Sequence, residues 1–253
     1  MTTEPTLLKD IQPRDAAYWA QQATIFEVAK APTGALNLNV NGHRALSPLQ
    51  GFGQMWQKTF RVRLTGSSIE PAEVIKTWKD HFPEFWPKWD RFYKPLRGIA
   101  PGEVAVINML LPGDMPYGLP LSTGILVLYA DEESFTFMCP EGHMFAGWIT
   151  FSAFEEEGCT VAQIQVLIRA NDPVYEVGFR LGASRSESKF WQMTLAALAT
   201  HFGVTGPVET QAICVDPRIQ WSQFRNIWYN AAIRTTLFMM TYPARWLARQ
   251  FRR

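Results

Sequence analysis

The chain has 253 residues, 47% of them apolar, and a formal net charge of +1 at pH 7. This small charge excludes long-range attraction to nucleic acid, and no block rich in Lys and Arg precedes the C-terminal tail. The length is close to the upper limit for one hydrophobic core, so we expect a single domain with appendages. Trp, Phe and Tyr make up 13% of the residues, which is enough to fill a core and also to line a ligand cavity.

The cysteines and the N-terminal residues indicate the compartment. Cys139, Cys159 and Cys214 are an odd, widely spaced set that fits neither a disulfide framework nor a zinc site. The N-terminal residues include acids and no apolar h-region, so we expect no secretory signal. No run of 18 apolar residues is present, so we expect no membrane span. Together these features predict a cytoplasmic protein.

Residues 1–57 are expected to form an N-terminal extension. An amphipathic helix is predicted over residues 13–30, where large apolar side chains alternate with polar ones at helical spacing. The Gly, Pro and Asn content then rises up to Gln57, so only short strands such as 36–40 are expected.

Residues 58–205 are expected to form the main domain. Phe60, Val62 and Leu64 alternate with arginines, which predicts a half-buried strand over residues 59–64. A helix should follow, with Pro71 in its first turn and an apolar run through residues 82–87. Period-2 segments separated by short turns then predict antiparallel strands at 103–111, 124–130, 134–139, 147–154 and 160–169.

Two further features of this domain concern its shape. The alternation slips near Ala162, which predicts a β-bulge in a strongly curved sheet. A long helix is predicted over residues 186–202, capped by Ser184 or Ser186 and ended by Gly203. The predicted fold class is therefore α+β, with a curved antiparallel sheet wrapped around a long C-terminal helix, and with helical N- and C-terminal extensions.

This order of elements resembles the START-like, or SRPBCC, helix-grip superfamily over about residues 58–203. The similarity includes the segments FRVRLTGSSIEPAEVIKTWKDHFPEFWP and FWQMTLAALATHFG. The segment EGHMFAGWITFS is also similar to a Gly-His and Gly-aromatic-Phe pattern of a bacterial and plant branch, although Trp148 stands where that branch tends to carry an acid.

The resemblance implies a deep cavity under the C-terminal helix that takes lipids, polyketides, steroids or hormones. Most members of the superfamily bind or carry such ligands, and some catalyse cyclisation or dehydration with residues that differ between families. No catalytic residue is therefore carried over to this chain, and binding is favoured over catalysis.

No motif in the chain indicates a cofactor or a metal. The four His residues are scattered, and the chain lacks a nucleophile elbow, a dinucleotide fingerprint and a Walker loop. The candidate ligand-binding residues are polar and aromatic positions of the predicted sheet, turns and helices: Trp78, Phe82, Trp86, Asn108, Phe137, His143, Trp148, Gln165, Arg169, Trp191 and Leu195.

Two of these candidates have alternative interpretations. His143 follows Gly142 in a turn between strands, where it is either a hydrogen-bonding loop residue or a polar group at the cavity mouth. Arg169 is expected to pair with Asp172 or Glu176, either on the surface or inside the cavity, where a buried polar group needs a partner.

Residues 206–253 are expected to form a basic, amphipathic, helical extension. Asp216 and Pro217 are a typical helix start, and residues 218–242 contain neither Pro nor Gly, which predicts one long helix. No acid follows Asp216, while arginines continue to the end at Arg245, Arg249, Arg252 and Arg253. This helix either docks on the protein's own sheet or a second subunit, or lies on a membrane surface through residues 217–253.

Overall fold

The computed structural model describes residues 15–66, 69–111 and 118–242. Its centre is a curved, open antiparallel sheet of nine strands: β1 (Ala45–Leu46), β2 (Met55–Arg63), β3 (Arg91–Tyr93), β4 (Val104–Leu111), β5 (Leu119–Ala130), β6 (Ser134–Pro140), β7 (Phe145–Glu156), β8 (Cys159–Ala170) and β9 (Glu209–Asp216). The strand order is β3-β4-β5-β6-β7-β8-β2-β9, and β1 pairs with the end of β6.

The helices of the described residues are α1 (Pro71–His81), α2 (Pro173–Gly178), α3 (Ser184–His201) and α4 (Ala231–Met240). A π-helical turn joins α2 to α3, and 3-10 helices occupy Ala16–Tyr18, Pro48–Gln50, Phe82–Phe85 and Trp221–Tyr229. None of these helices is both long and apolar enough to cross a membrane.

The strands predicted for the main domain and its two predicted helices are confirmed. Short connections make β4 to β8 antiparallel neighbours, as expected from the turn signals. The concave face of the sheet carries the main core, against which α1 and α3 pack with Trp78, Trp191 and Leu195. The fold class predicted from the sequence is therefore the one observed.

The β-bulge predicted near Ala162 is wrong. Strand β8 pairs residue by residue with both β7 and β2, and the register shifts lie elsewhere, at Val127 to Tyr129 in β5 and at Met55 to Trp56 in β2. Val161 and Ala162 are both fully buried. The alternation is lost because both faces of the sheet are covered at this point, and no residue is inserted.

The helix over the concave face starts earlier than predicted, at Pro173. Asp172 caps it, because its carboxylate accepts the backbone N–H groups of Val174 at 2.8 Å and Tyr175 at 3.1 Å. The prediction that Ser184 or Ser186 caps the helix is wrong, since the backbone at Ser184 is already helical and the path bends at Gly182, whose φ is 132°.

The helix predicted over residues 13–30 is absent from the described part of this range, which starts at Asp15. Beyond the 3-10 turn, the segment runs along the outer face of the sheet, where the backbone N–H of Ala20 donates to Leu128 at 2.9 Å. Phe26 is fully buried in a small cluster with Val40, Val104 and Leu126. The backbone of this segment is hydrogen-bonded to neighbouring segments instead of within a helix, for example from the N–H of Phe26 to His43 at 2.8 Å. Residues 36–40 do not form the expected strand either.

The single long helix predicted from Arg218 is divided in two. The 3-10 helix Trp221–Tyr229 ends at Asn230, whose side chain accepts the N–H of Ile233 at 2.9 Å and so starts α4 as a new helix. Helix α4 buries Ala231, Ala232 and Thr235 against β5. One expected alternative, docking on the protein's own sheet, is therefore realised by α4, while Arg245, Arg249, Arg252 and Arg253 lie outside the described residues.

The division of the chain at residues 57 and 205 stays a prediction. Strand β1, the first residues of β2 and the whole of β9 belong to the sheet but lie outside residues 58–205. The segments on either side of the main domain therefore contribute strands as well as helical turns.

Candidate ligand-binding cavity

A cavity of about 140 Å³ lies between the concave face of the sheet and α3. Its wall is mainly apolar, and aromatic rings come from both layers. The turn before β3 contributes Trp86 and Trp89, and the strands contribute Phe92, Ile107, Met109, Ile125, Phe137 and Val166. The helix α3 contributes Phe190, Trp191 and Met193. A wall of this composition fits an apolar molecule with few polar groups.

Four of the residues proposed from the sequence line this cavity: Trp86, Phe137, His143 and Trp191. Trp78, Phe82 and Leu195 lie instead in the solid part of the core. Trp78 is fully buried, and its ring makes edge-to-face contacts with Phe135 and Phe151, with ring-centroid distances of 6.0 and 5.2 Å. These three residues support the layer beneath the cavity.

The remaining four candidates lie away from the cavity. Asn108 holds the N-terminal segment, since its side chain exchanges two hydrogen bonds with the backbone of Leu36 at 3.0 and 3.1 Å. Trp148 lines an open groove on the outer face of the sheet together with Trp19. Gln165 precedes Val166, which lines the cavity, so its side chain points to the opposite face.

Arg169 is the fourth of these, and its predicted pairing is wrong. Its buried guanidinium forms an ion pair with Asp216 and donates to the carbonyl groups of Gly53 at 2.5 Å and Arg218 at 2.8 Å. Arg169 and Asp216 both pair with Met55 of β2, one from each side. The strand β9, which sequence patterns did not reveal, brings this acid into reach.

The two acids expected beside Arg169 have other partners. Asp172 caps α2 and also accepts a hydrogen bond from Asn230 at 2.8 Å, while Glu176 pairs with Arg180 at 2.7 Å. Arg218 and Arg169 hold the pKa of Asp216 well below its usual range. This cluster fastens β9 to the sheet and has no part in the cavity.

His143 is a neutral polar group in the cavity wall. Its Nδ1 lies 2.9 Å from the hydroxyl of Thr123, and burial lowers its pKa to about 4. The ring therefore carries no charge at neutral pH. Both interpretations of this residue hold in part, since it is hydrogen-bonded and also faces the cavity.

Asp90 is an acid in the cavity wall that sequence patterns missed. It is 8% exposed, and its Oδ1 has no hydrogen-bond partner within the described residues. Burial raises the pKa of this carboxyl to about 7, although a hydrogen bond from the backbone N–H of Leu110 stabilises the carboxylate and opposes this rise. Asp90 therefore exchanges a proton near neutral pH.

A buried ion pair closes one side of the cavity. Glu187 of α3 lines the wall and pairs with Lys58 of β2, which is 2% exposed. Lys58 also donates to the hydroxyl groups of Ser184 and Ser188, each at 3.1 Å. Burial raises the pKa of Glu187, and the charge of Lys58 opposes this rise. Lys58 alternates in phase with Phe60 and Val62, so the strand pattern contained the signal that it points inward.

The described residues contain no group of three or more His, Cys, Asp or Glu side chains that could hold a metal ion. Cys139 also lines the cavity, and burial raises its thiol pKa to about 12. This thiol stays protonated at neutral pH and is not a nucleophile there.

The sheet curves around the long helix and leaves a cavity between the two layers. This is a helix-grip fold. Solved structures that overlap with it include a START superfamily protein from Mycobacterium smegmatis, with 16% identity, 60% of this chain and 98% of that chain covered, and a TM-score of 0.40.

A second overlapping structure is the di-domain ARO/CYC StfQ from the steffimycin biosynthetic pathway, with 12% identity, 60% of this chain and 53% of that chain covered, and a TM-score of 0.41. Protein Ms6760 from Mycobacterium smegmatis is 14% identical in sequence, and the overlap covers 58% of this chain and 90% of that chain with a TM-score of 0.40. No family model and no curated protein matches the sequence. The helix-grip assignment rests on the observed sheet order and the position of the helix, since these overlaps are partial.

Proposed function

We propose that the protein binds a hydrophobic small molecule in the cavity between the sheet and α3. The observation that carries this proposal is the cavity itself, since the two layers leave about 140 Å³ between walls of aromatic and aliphatic side chains. Few polar groups interrupt these walls, as is usual for sites that bind apolar ligands. START-like lipid-binding activity is the form of this function that the sequence resemblance implies.

Filling the cavity tests this proposal. Met109 lines the cavity from β4, whereas Met138 of β6 follows Phe137, a cavity residue, and so points to the opposite face of the sheet. We expect Met109→Trp to weaken the binding of naphthalene, measured by equilibrium dialysis, by about tenfold or more, and Met138→Trp to leave it unchanged. Equal naphthalene binding by the two variants and the wild type would contradict the proposal.

A second candidate function is catalysis of the cyclase or dehydratase kind in the same cavity. Several titratable side chains line it, and among them Asp90, His143 and Glu187 each have a pKa that is shifted by burial. An acid with a pKa of about 7 is suited to both giving and taking a proton at neutral pH. A lipophilic extract incubated with the wild type and with Asp90→Asn should then show a product, by mass spectrometry, only with the wild type.

We further propose that residues 217–253 contact an anionic membrane surface. Trp221 is 71% exposed and Trp228 is 77% exposed, and Leu237 and Met240 lie exposed on α4. The segment contains seven arginines and no acid, so the remainder of the chain is net negative. Exposed Trp beside Arg suits the boundary between anionic headgroups and acyl chains.

Vesicle flotation tests the membrane contact. We expect the protein to float with vesicles that contain phosphatidylglycerol and to float less with pure phosphatidylcholine. Trp221→Ser with Trp228→Ser should reduce flotation, whereas Leu96→Ser, which changes an 80% exposed side chain elsewhere, should not. Flotation that is independent of these Trp residues would contradict the contact, and dimers that the two Trp changes dissociate would indicate a second copy as the partner.

The proposed location is the cytoplasm, with this peripheral contact. Cys139, Cys159 and Cys214 are all free thiols, as a reducing compartment would keep them. Cell fractionation with a thiol-blocking reagent tests the location, and recovery of oxidised protein outside the cytoplasm would contradict it.

A further inference from the structure

We propose that the ligand is an alcohol or phenol whose hydroxyl group is bound by Trp86 and Asp90, while its hydrocarbon part fills the rest of the cavity. This inference rests on the proposed binding function and adds the chemical class of the ligand.

Trp86 supplies a hydrogen-bond donor without an acceptor. Its side chain is 9% exposed, and its Nε1 has no partner within the described residues. Edge-to-face contacts with Phe92 and Phe190, at ring-centroid distances of 5.1 and 5.0 Å, fix the orientation of the indole ring. A buried N–H group without a partner is unfavourable, so a ligand atom that accepts this hydrogen bond gains affinity.

Asp90 supplies the second group from the same turn, four residues later. The backbone N–H of Asp90 donates to Pro87 at 3.1 Å, which holds the turn, and both Trp86 and Asp90 line the cavity. Its buried Oδ1 also has no partner within the described part of the chain. Because burial raises the carboxyl pKa to about 7, the group accepts a hydrogen bond in one protonation state and donates one in the other.

Several other polar groups of the wall have partners: His143 is bonded to Thr123, Lys189 has an interaction partner, and Oε2 of Glu187 pairs with Lys58. Oε1 of Glu187 has no partner within the described residues, but this carboxylate offers only acceptors. The turn of Trp86 and Asp90 is thus the part of the wall that offers an unpaired donor together with an unpaired acceptor.

A hydroxyl group satisfies both side chains, because its oxygen accepts from the indole N–H and also exchanges a hydrogen bond with Asp90. An ammonium group has no lone pair for the indole, and a carboxylate would meet the charge of an ionised Asp90. A carbonyl oxygen satisfies both only while Asp90 is protonated. The remainder of the wall is mainly apolar and disfavours further polar groups on the ligand.

Naphthalene and 2-naphthol are matched probes, because they differ by one hydroxyl group. We expect the full chain to bind 2-naphthol about tenfold more tightly than naphthalene in equilibrium dialysis, as the hydrogen bonds of an otherwise unsatisfied site allow. Trp86→Phe, which keeps an aromatic ring and removes the N–H, should reduce this preference, the ratio of the two affinities, to about threefold or less.

Trp78→Phe is the matched control. Trp78 is also fully buried and its Nε1 also has no partner, but it does not line the cavity. Its preference for 2-naphthol should equal that of the wild type. Asp90→Leu gives a second test that does not depend on the folding of Trp86→Phe, and it should likewise reduce the preference.

The outcomes separate this inference from the binding function. Equal affinity of the wild type for both probes, or equal loss of preference in Trp78→Phe and Trp86→Phe, would overturn the hydroxyl assignment and leave the cavity function intact. Binding of neither probe to the wild type would overturn both proposals.

Discussion

Replacement of Lys58 by Met tests how the helix is held on the sheet. Lys58 is 2% exposed and pairs with Glu187, whose side chain is also largely buried. The variant leaves this carboxylate inside the protein without its cation. Removing one partner of a buried pair commonly costs about 3–5 kcal/mol, so we expect the free energy of unfolding to fall by about this amount at pH 7.5 in urea titrations followed by Trp fluorescence.

The double variant Lys58→Met with Glu187→Leu removes both charges. Apolar pairs of similar volume often replace a buried ion pair without loss of stability, so the double variant should recover most of the free energy that Lys58→Met loses. The double-mutant cycle then measures the coupling between the two residues.

The direction in which the stability of Lys58→Met changes with pH is an independent test. Without Lys58, burial raises the pKa of Glu187 further above its unfolded value. Its protonated form is then favoured in the folded state, so stability is lost as pH rises from the unfolded pKa to the folded one. Lys58→Met should therefore be less destabilised at pH 5 than at pH 7.5. A variant within about 1 kcal/mol of the wild type at pH 7.5, or a double variant no more stable than the single one, would refute this reasoning.

Three further predictions use the same structure. Because the pKa of Asp90 is about 7, the folded state keeps a proton that the unfolded chain releases. From pH 4 to 7 the wild type should therefore lose about 3 kcal/mol of stability relative to Asp90→Asn in urea unfolding. Trp78→Ala should cost about 3–5 kcal/mol, because it removes contacts with Phe135 and Phe151, whereas Trp228→Ala should cost less than about 1 kcal/mol in thermal melts. Arg169→Met should speed amide exchange across β9 and not across β4; unchanged exchange in β9 would show that the Arg169 cluster does not hold this strand.

Strand periodicity predicted the core well, because one face of most strands packs on the helix and the other is half-exposed. The pattern failed where both faces are covered, as at Val161 and Ala162. It also failed at β9, whose residues are mostly exposed on both faces and so carry little alternation. Helical periodicity at residues 13–30 was misleading, since the same apolar side chains bind the outer face of the sheet.

The sequence could predict that an apolar cavity exists, but it could not identify all of the residues that line it. An aromatic-rich chain with a sheet and one long helix implies an apolar space, and Trp86, Phe137, His143 and Trp191 do line it. Asp90 lies in an irregular turn, where no periodicity shows which way a side chain points. Arg169 was misassigned because its partner, Asp216, is brought near by long-range strand pairing.

The strand β9 follows α3 in the chain and covers the outer edge of β2. Protein shortened to residue 205 would therefore present the unpaired backbone of β2 to solvent, and a bare sheet edge readily recruits another chain. Expression of residues 58–205 alone should thus yield oligomers or aggregates that a separately added peptide of residues 206–217 would suppress. The C-terminal region would then protect β2 from pairing with another chain by replacing it with β9 as the edge strand at this end of the sheet.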